Sequence, residues 1–233
     1  MTFKNSGFYF IALLFLAIAG FWPSYFSKLG DSFSEPASNY THLHAITMML
    51  WVAMLISQAF LIRYKKYTLH KTIGKFSYVL VPVLAISLAL LAHSQITLHE
   101  YGVSYDRMYI LFLQLSLLAI FIISYVLAII YKKSPAHHAR FMICTSLTLI
   151  DPAVARLPLD LPEIPFSYQV WTFALTDIIL LVLIFLERKQ QHGREVFPIM
   201  LAVFLFFQTL NLNWTRSDTW DNFVLWFATL PLT

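Results

Sequence analysis

At 233 residues, 59% of them hydrophobic and 12% charged, the chain falls far short of the roughly 25% charge usual in soluble domains. That deficit excludes an ordinary water-soluble enzyme and reads as an all-α polytopic membrane protein, a transmembrane helical bundle whose first partner is the lipid bilayer. The net charge of +4 does not imply nucleic acid, because the basic residues sit in short loops between apolar segments, where they set orientation.

The first apolar segment, about residues 8–26, contains Ala17-Ile18-Ala19, which has the form of a signal-peptidase site. Because the apolar run continues through Phe21-Trp22, a retained helix is the preferred reading over a cleaved leader. A polar loop from Lys28 to Tyr40 follows. The second segment, about residues 42–63, carries His44, Met48, Trp51, Leu55 and Gln58 at steps of four and three, which places them on one helical face. The basic stretch Arg63 to Lys75 reads as a loop. The third segment, residues 76–98, holds Pro82 and His93 and is expected to bend at the proline. After an acidic turn from His99 to Asp106, the fourth runs from 108 to 131.

The turn Lys132 to Arg140 contains His137 and His138. The fifth segment, residues 141–157, holds Asp151, Pro152 and Arg156, with a helix break expected at Asp151-Pro152. A proline-rich loop to Ser167 leads to the sixth segment, residues 168–186, with Asp177 near its middle. The seventh covers residues 196–214. The tail, residues 220–233, is too short to span and reads as an interfacial segment anchored by Trp220 and Trp226. The whole is one domain, 1–233. Its single cysteine, Cys144, lies in an apolar segment, so no disulfide forms within the chain.

The loops alternate in charge. Lys4, Arg63 to Lys75, Lys132 to Arg140 and Arg188 to Arg194 fall on one side; Lys28, Arg107 and Arg216 fall on the other. The positive-inside rule then puts the amino terminus in the cytoplasm and the carboxyl terminus outside, with seven spans.

Depth sorts the titratable residues into two groups. The histidines form an outer set, His44 with His93, and an inner set, His70 with His138 or His137. Neutral imidazole is the commonest ligand of metals and a frequent one of haem iron, so the first expectation is a membrane redox protein binding haem b or a transition metal, with His44 and His93 as the leading pair and His70 with His138 as a second. The plainer alternative is that histidines near span ends are half-hydrated, like the tyrosines and lysines beside them. An unbroken helix from His70 to His93 would separate the two imidazoles by about 35 Å, more than the hydrocarbon thickness, which favours one haem or metal over two.

Asp151, Arg156 and Asp177 form the other group, the two aspartates near mid-depth and Arg156 roughly 7.5 Å nearer the outside. Charges there face the bundle interior or water. They point either to a buried salt bridge that positions helices, in a structural or assembly subunit of a membrane complex, or to a proton or ion path in a proton-coupled transporter or channel. The chain has no HExxH, GxSxG, phosphate-binding glycine loop or CxxC. His42 and His44 fall on the wrong side for a membrane desaturase. No catalytic residue, and hence no enzyme class, is indicated; a membrane redox or transport partner is expected.

His44 with Trp51, His70-Lys71-Thr72-Ile73-Gly74-Lys75 and His138-Ala139-Arg140-Phe141-Met142, with Arg156-Leu157 beyond, resemble a bacterial family of polytopic membrane proteins defined as a domain of unknown function. Its pattern is a histidine opening one span, an H-R-x-x-G-R turn and a later H-x-R-(W/F)-M turn. Here lysine replaces both arginines of the first turn, keeping the charge but losing the guanidinium fork. The resemblance covers residues 42–157. It implies the bacterial inner (cytoplasmic) membrane and marks His44, His70 and His138, but it supplies no reaction.

Overall fold

The computed structural model describes residues 5–29, 37–96, 103–157 and 168–233. Among the described residues the chain is helical and contains no strand. The helices are α1 (Ser6–Phe21), α2 (Asn39–Arg63), α3 (Tyr67–Gly74), α4 (Ser77–Ser94), α5 (Tyr105–Ile130), α6 (Pro135–Leu147), α7 (Ile150–Val154), α8 (Tyr168–Glu187), α9 (Val196–Asn213) and α10 (Asp218–Ala228). The loop at 30–36, residues 97–102, which include the first half of the acidic turn, and the proline-rich loop (158–167) lie outside the described residues.

Five stretches are long and apolar enough to cross a membrane: Asn39–Arg63, Tyr67–Ser94, Tyr105–Ile130, Gln169–Glu187 and Val196–Arg216. The first expected span is shorter, with 16 residues, about 24 Å of helix against a hydrocarbon core of about 30 Å. The fifth is divided between α6 and α7.

The division falls at Thr148 and Leu149, before the expected Asp151-Pro152. Pro152 is the third residue of α7, where a helix has no acceptor for the missing N–H, so the proline is accommodated at the start of a helix and does not break one. The basic stretch after α2 is also more ordered than a loop. Lys65 turns the chain with a φ of 59°, and α3 follows, continued by α4 after a short turn at Lys75 and Phe76.

The stripe on α2 faces inward, with Trp51, Leu55 and Gln58 buried. Trp51 meets Phe121 edge to face at 5.2 Å and Tyr125 at 5.8 Å, locking α2 to α5. Phe10, Leu13 and Ala17 of α1 and Phe197, Met200 and Phe204 of α9 join the same core. At Gly20 the backbones of α1 and α7 touch, and any Cβ would collide with the Ala153 carbonyl.

A second, smaller core lies at the other end of the bundle, where α10 folds back. Ser217 caps α10, and Trp220 packs on Phe112 with ring centres 4.8 Å apart. Trp220 was expected to anchor the tail at the membrane interface. It is buried instead, and its indole N–H donates to the Met108 carbonyl at 3.1 Å, whereas Trp226 is exposed.

Side-chain contacts bring the basic turns together at one end. Arg63 donates to Asn5 (3.1 Å), His70 faces His138, Arg140 pairs with Glu187, and His137 meets Glu195 (2.6 Å). The turns grouped by charge therefore share one end of the bundle.

Candidate functional site

At the basic end, α3 and α6 each present a histidine to the space beside α2 and α5. Pro135 occupies the first turn of α6, where its fixed φ suits helix initiation, and so sets His137 and His138 on that turn. His137 is fully engaged: Nδ1 bonds Ser134 Oγ at 2.7 Å, Nε2 meets Glu195 Oε1 at 2.6 Å, and the ring stacks on Tyr131. Hydrogen bonds from its own backbone N–H and from His137 hold the Glu195 carboxyl below its ordinary pKa of 4.5.

His138 is arranged differently. Its Nδ1 lies 2.8 Å from the Ala128 carbonyl, which can only accept, so Nδ1 carries a proton and, in the neutral ring, Nε2 is the nitrogen with the lone pair. A ligand histidine is commonly oriented by such a bond. The His70 ring stands perpendicular to it, with ring centres 6.3 Å apart. His70 Nδ1 is buried with no hydrogen-bond partner among the described residues, and so are both side-chain polar atoms of Gln58. Gln58 lies beside Gly74, on the helix that carries His70. From Gly74 a chain of polar contacts runs inward: Ser77 Oγ donates to the Gly74 carbonyl (2.6 Å) and bonds the Tyr125 hydroxyl (2.8 Å).

Two imidazoles on one iron, copper or zinc, at about 2.0–2.1 Å per bond, put their ring centres roughly 5–6.5 Å apart. The observed separation lies in that range. Among the described residues no three His, Cys, Asp or Glu side chains gather as a ready-made metal cluster. A pair without a third ligand is incomplete for a structural zinc, but it suffices for a haem iron, whose macrocycle supplies four donors.

The outer histidines are not brought together in this way. His44 Nδ1 bonds Ser87 Oγ at 3.1 Å, in a cluster that includes Thr47. His93 bonds Thr233 Oγ1 at 2.6 Å and packs against Phe227 of α10. Six residues separate Ser87 from His93, about 9 Å along α4 and about 120° away around it, so the two histidines face different neighbours. His42 bonds the Tyr25 hydroxyl at 2.9 Å. His99 lies outside the described residues.

The acidic group also divides. Asp151 accepts from Gln169 Nε2 at 2.7 Å, and Asp177 from Gln208 Nε2 at 3.1 Å. Gln169 and Gln208 lie on different helices, α8 and α9, so the two carboxylates have separate partners. Arg156 turns outward, donating to the Pro152 carbonyl at 2.7 Å and covering the Phe21 ring at 4.6 Å. A buried salt bridge between these two segments does exist, but Arg140 of α6 and Glu187 of α8 form it, at 3% and 0% exposure. Arg140 Nε donates to Glu187 Oε2 at 2.7 Å, and Nη1 donates to the Ala136 carbonyl at 2.6 Å.

In the sequence Arg140 and Glu187 each stand just beyond the end of an apolar segment, where a charge reads as part of a solvated loop. Asn211 and Gln208 are not among the sequence candidates either, although amides inside an apolar segment are themselves a signal. No protein-family model, no curated protein and no solved structure matches the chain.

Proposed function

We propose that the protein is a haem- or metal-binding membrane redox protein whose ligands are His70 and His138. The observation that carries this reading is the pairing of two imidazoles from separate helices, one oriented by the Ala128 carbonyl, the other with a buried, unpartnered Nδ1. The unpartnered Gln58 carboxamide is at hand to hydrogen-bond a bound group. Bound iron or copper would supply one-electron chemistry; the chain orients the rings. The two turns that resemble the bacterial membrane family supply both imidazoles. The expectation for His44 and His93 gives way to this pair.

The setting we propose is a bacterial inner membrane crossed seven times, amino terminus inside, with α1 and the α6–α7 pair as the short crossings. Two contacts support α1 as a crossing: Asn5 meets Arg63 at the basic end, and Gly20 meets Ala153 at the far end of the same helix.

Purified protein in detergent is the test. A Soret band, with iron near one per chain, identifies haem; iron, copper or zinc at that stoichiometry without the band identifies a lone ion. His138→Ala and His70→Ala are each expected to reduce the bound group at least tenfold, while His44→Ala and His137→Ala retain it. Wild-type protein with neither the band nor a stoichiometric metal refutes the proposal.

A further inference from the structure

The basic end of the bundle carries more positive charge than the fold neutralises. Among the described residues its carboxylates are Glu187 and Glu195, and Arg140 and His137 take them. Lys65, Lys66, Lys71 and Lys75 follow one another closely, are all exposed, and meet no acidic side chain among the described residues. Helical spacing gives α3, which holds Lys71, three distinct faces. His70 and Gly74 turn inward, toward His138 and Gln58. Leu69 and Ile73 occupy a second face and are 50% and 38% exposed. Lys71 lies on the third with Thr68 and Thr72, and Lys75 continues it just past the helix end; all four are exposed.

Lys75 and Phe76 keep helical backbone angles, so these faces run on into α4. Leu69, Ile73, Phe76, Val79 and Val83, at steps of four, three, three and four, therefore form one exposed apolar stripe. Lys75 stands one turn before Val79, on the flank of that stripe. Together α3 and α4 make a stretch of 28 residues, about 42 Å of helix against a hydrocarbon core of about 30 Å. From Phe76 to Ala92 the helix carries no charged side chain, so the excess length falls on α3, at the level of the lipid headgroups. An apolar stripe beside two ammonium groups at that depth fits a phospholipid of net negative charge. Its acyl chains cover the stripe and its phosphate meets the lysines. A zwitterionic headgroup brings its own cation and gains less, and an acidic protein would neutralise the lysines but leave the stripe bare.

We infer that the flank of α3 and α4 bearing Lys71 and Lys75 is a docking site for an anionic phospholipid. The site does not depend on metal or haem at the histidine pair, and neither proposal stands or falls with the other. The test uses the full-length protein in mixed micelles with equal amounts of phosphatidylglycerol and phosphatidylcholine of the same acyl chains. Native mass spectrometry then counts the lipids retained. Phosphatidylglycerol should be favoured by about tenfold or more, since each lysine at a charged surface contributes several-fold. Lys71→Gln combined with Lys75→Gln should remove most of that preference. Both side chains are exposed, so the double variant should melt like the wild type without lipid. Lys132→Gln combined with Lys133→Gln takes the same charge from a neighbouring turn and should keep the preference. Glycerol phosphate, which has the anion but no acyl chains, should not compete. Equal retention of the two lipids by the wild type, or an undiminished preference in the Lys71 and Lys75 variant, overturns the inference. So does an equal loss in the Lys132 and Lys133 variant, which would mean diffuse charge, or competition by glycerol phosphate, which would mean a site for free phosphate.

Discussion

Arg140 and Glu187 are each less than one-twentieth exposed, and the guanidinium is braced from a third side by the loop at Gly193. That glycine has a φ of +77° and lies so close that a Cβ there would press on Arg140 Nη1. Removing one partner of such a pair leaves a charge in a medium that cannot solvate it; removing both leaves an apolar contact. Arg140→Met or Glu187→Leu alone should therefore destabilise the protein by about 3–5 kcal/mol, whereas the double substitution should recover most of that loss. Thermal melts of the four proteins, treated as a double-mutant cycle, measure it; equal losses in the singles and the double would refute it. The pair was not legible in the sequence because both residues read as loop charges. Only the approach of α6 to α8 makes them buried partners.

Helical periodicity made most elements legible, and tertiary context decided the rest. The stripe from Trp51 to Gln58 on α2 is the core face, as its spacing required. Pro152 carried a weaker signal, since a proline either stops a helix or begins one, and which it does depends on where the preceding helix ends. Trp220 misled for a related reason. A tryptophan near the end of an apolar segment suits both the membrane interface and a small core, and no local pattern separates the two. Here Phe112, Val224 and Phe227 surround it. Trp220→Ala should undock α10, at a local loss of about 3 kcal/mol, and speed trypsin cleavage at Arg216 by roughly tenfold or more, because cleavage follows the population of the opened segment. Unchanged cleavage would mean that α10 is held mainly by other contacts.

At the scale of the whole molecule, charge sorted the turns more reliably than chemistry sorted the histidines. Loop charge acts on the entire chain during insertion, so counting it needs no knowledge of packing. Pairing His44 with His93 assumed that similar depth means proximity, but depth leaves the rotation of each helix free. His70 and His138 meet because α3 and α6 are both carried to the same end by α2 and α5. Cysteine labelling in intact cells tests the sidedness. Cys144, buried in the core, is unreactive, so in the parent chain Lys65→Cys and Lys132→Cys should both resist an impermeant reagent. Lys28→Cys and Arg216→Cys should both react. Protection of Lys28→Cys would put the α1–α2 loop on the basic side and reduce the crossings; labelling of one basic turn without the other would undo the shared end.

The touching backbones at Gly20 and Ala153 bear on how the amino-terminal segment could be processed. A protease acting after Ala19 needs the peptide drawn out into its own cleft, and in the folded bundle that peptide is helical and wedged against α7. Cutting there would also strip Phe10, Leu13 and Ala17 from the interior, opening a lengthwise furrow beside α2 and α7. Once assembled, the bundle shields Ala17-Ile18-Ala19, so scission there would have to precede folding.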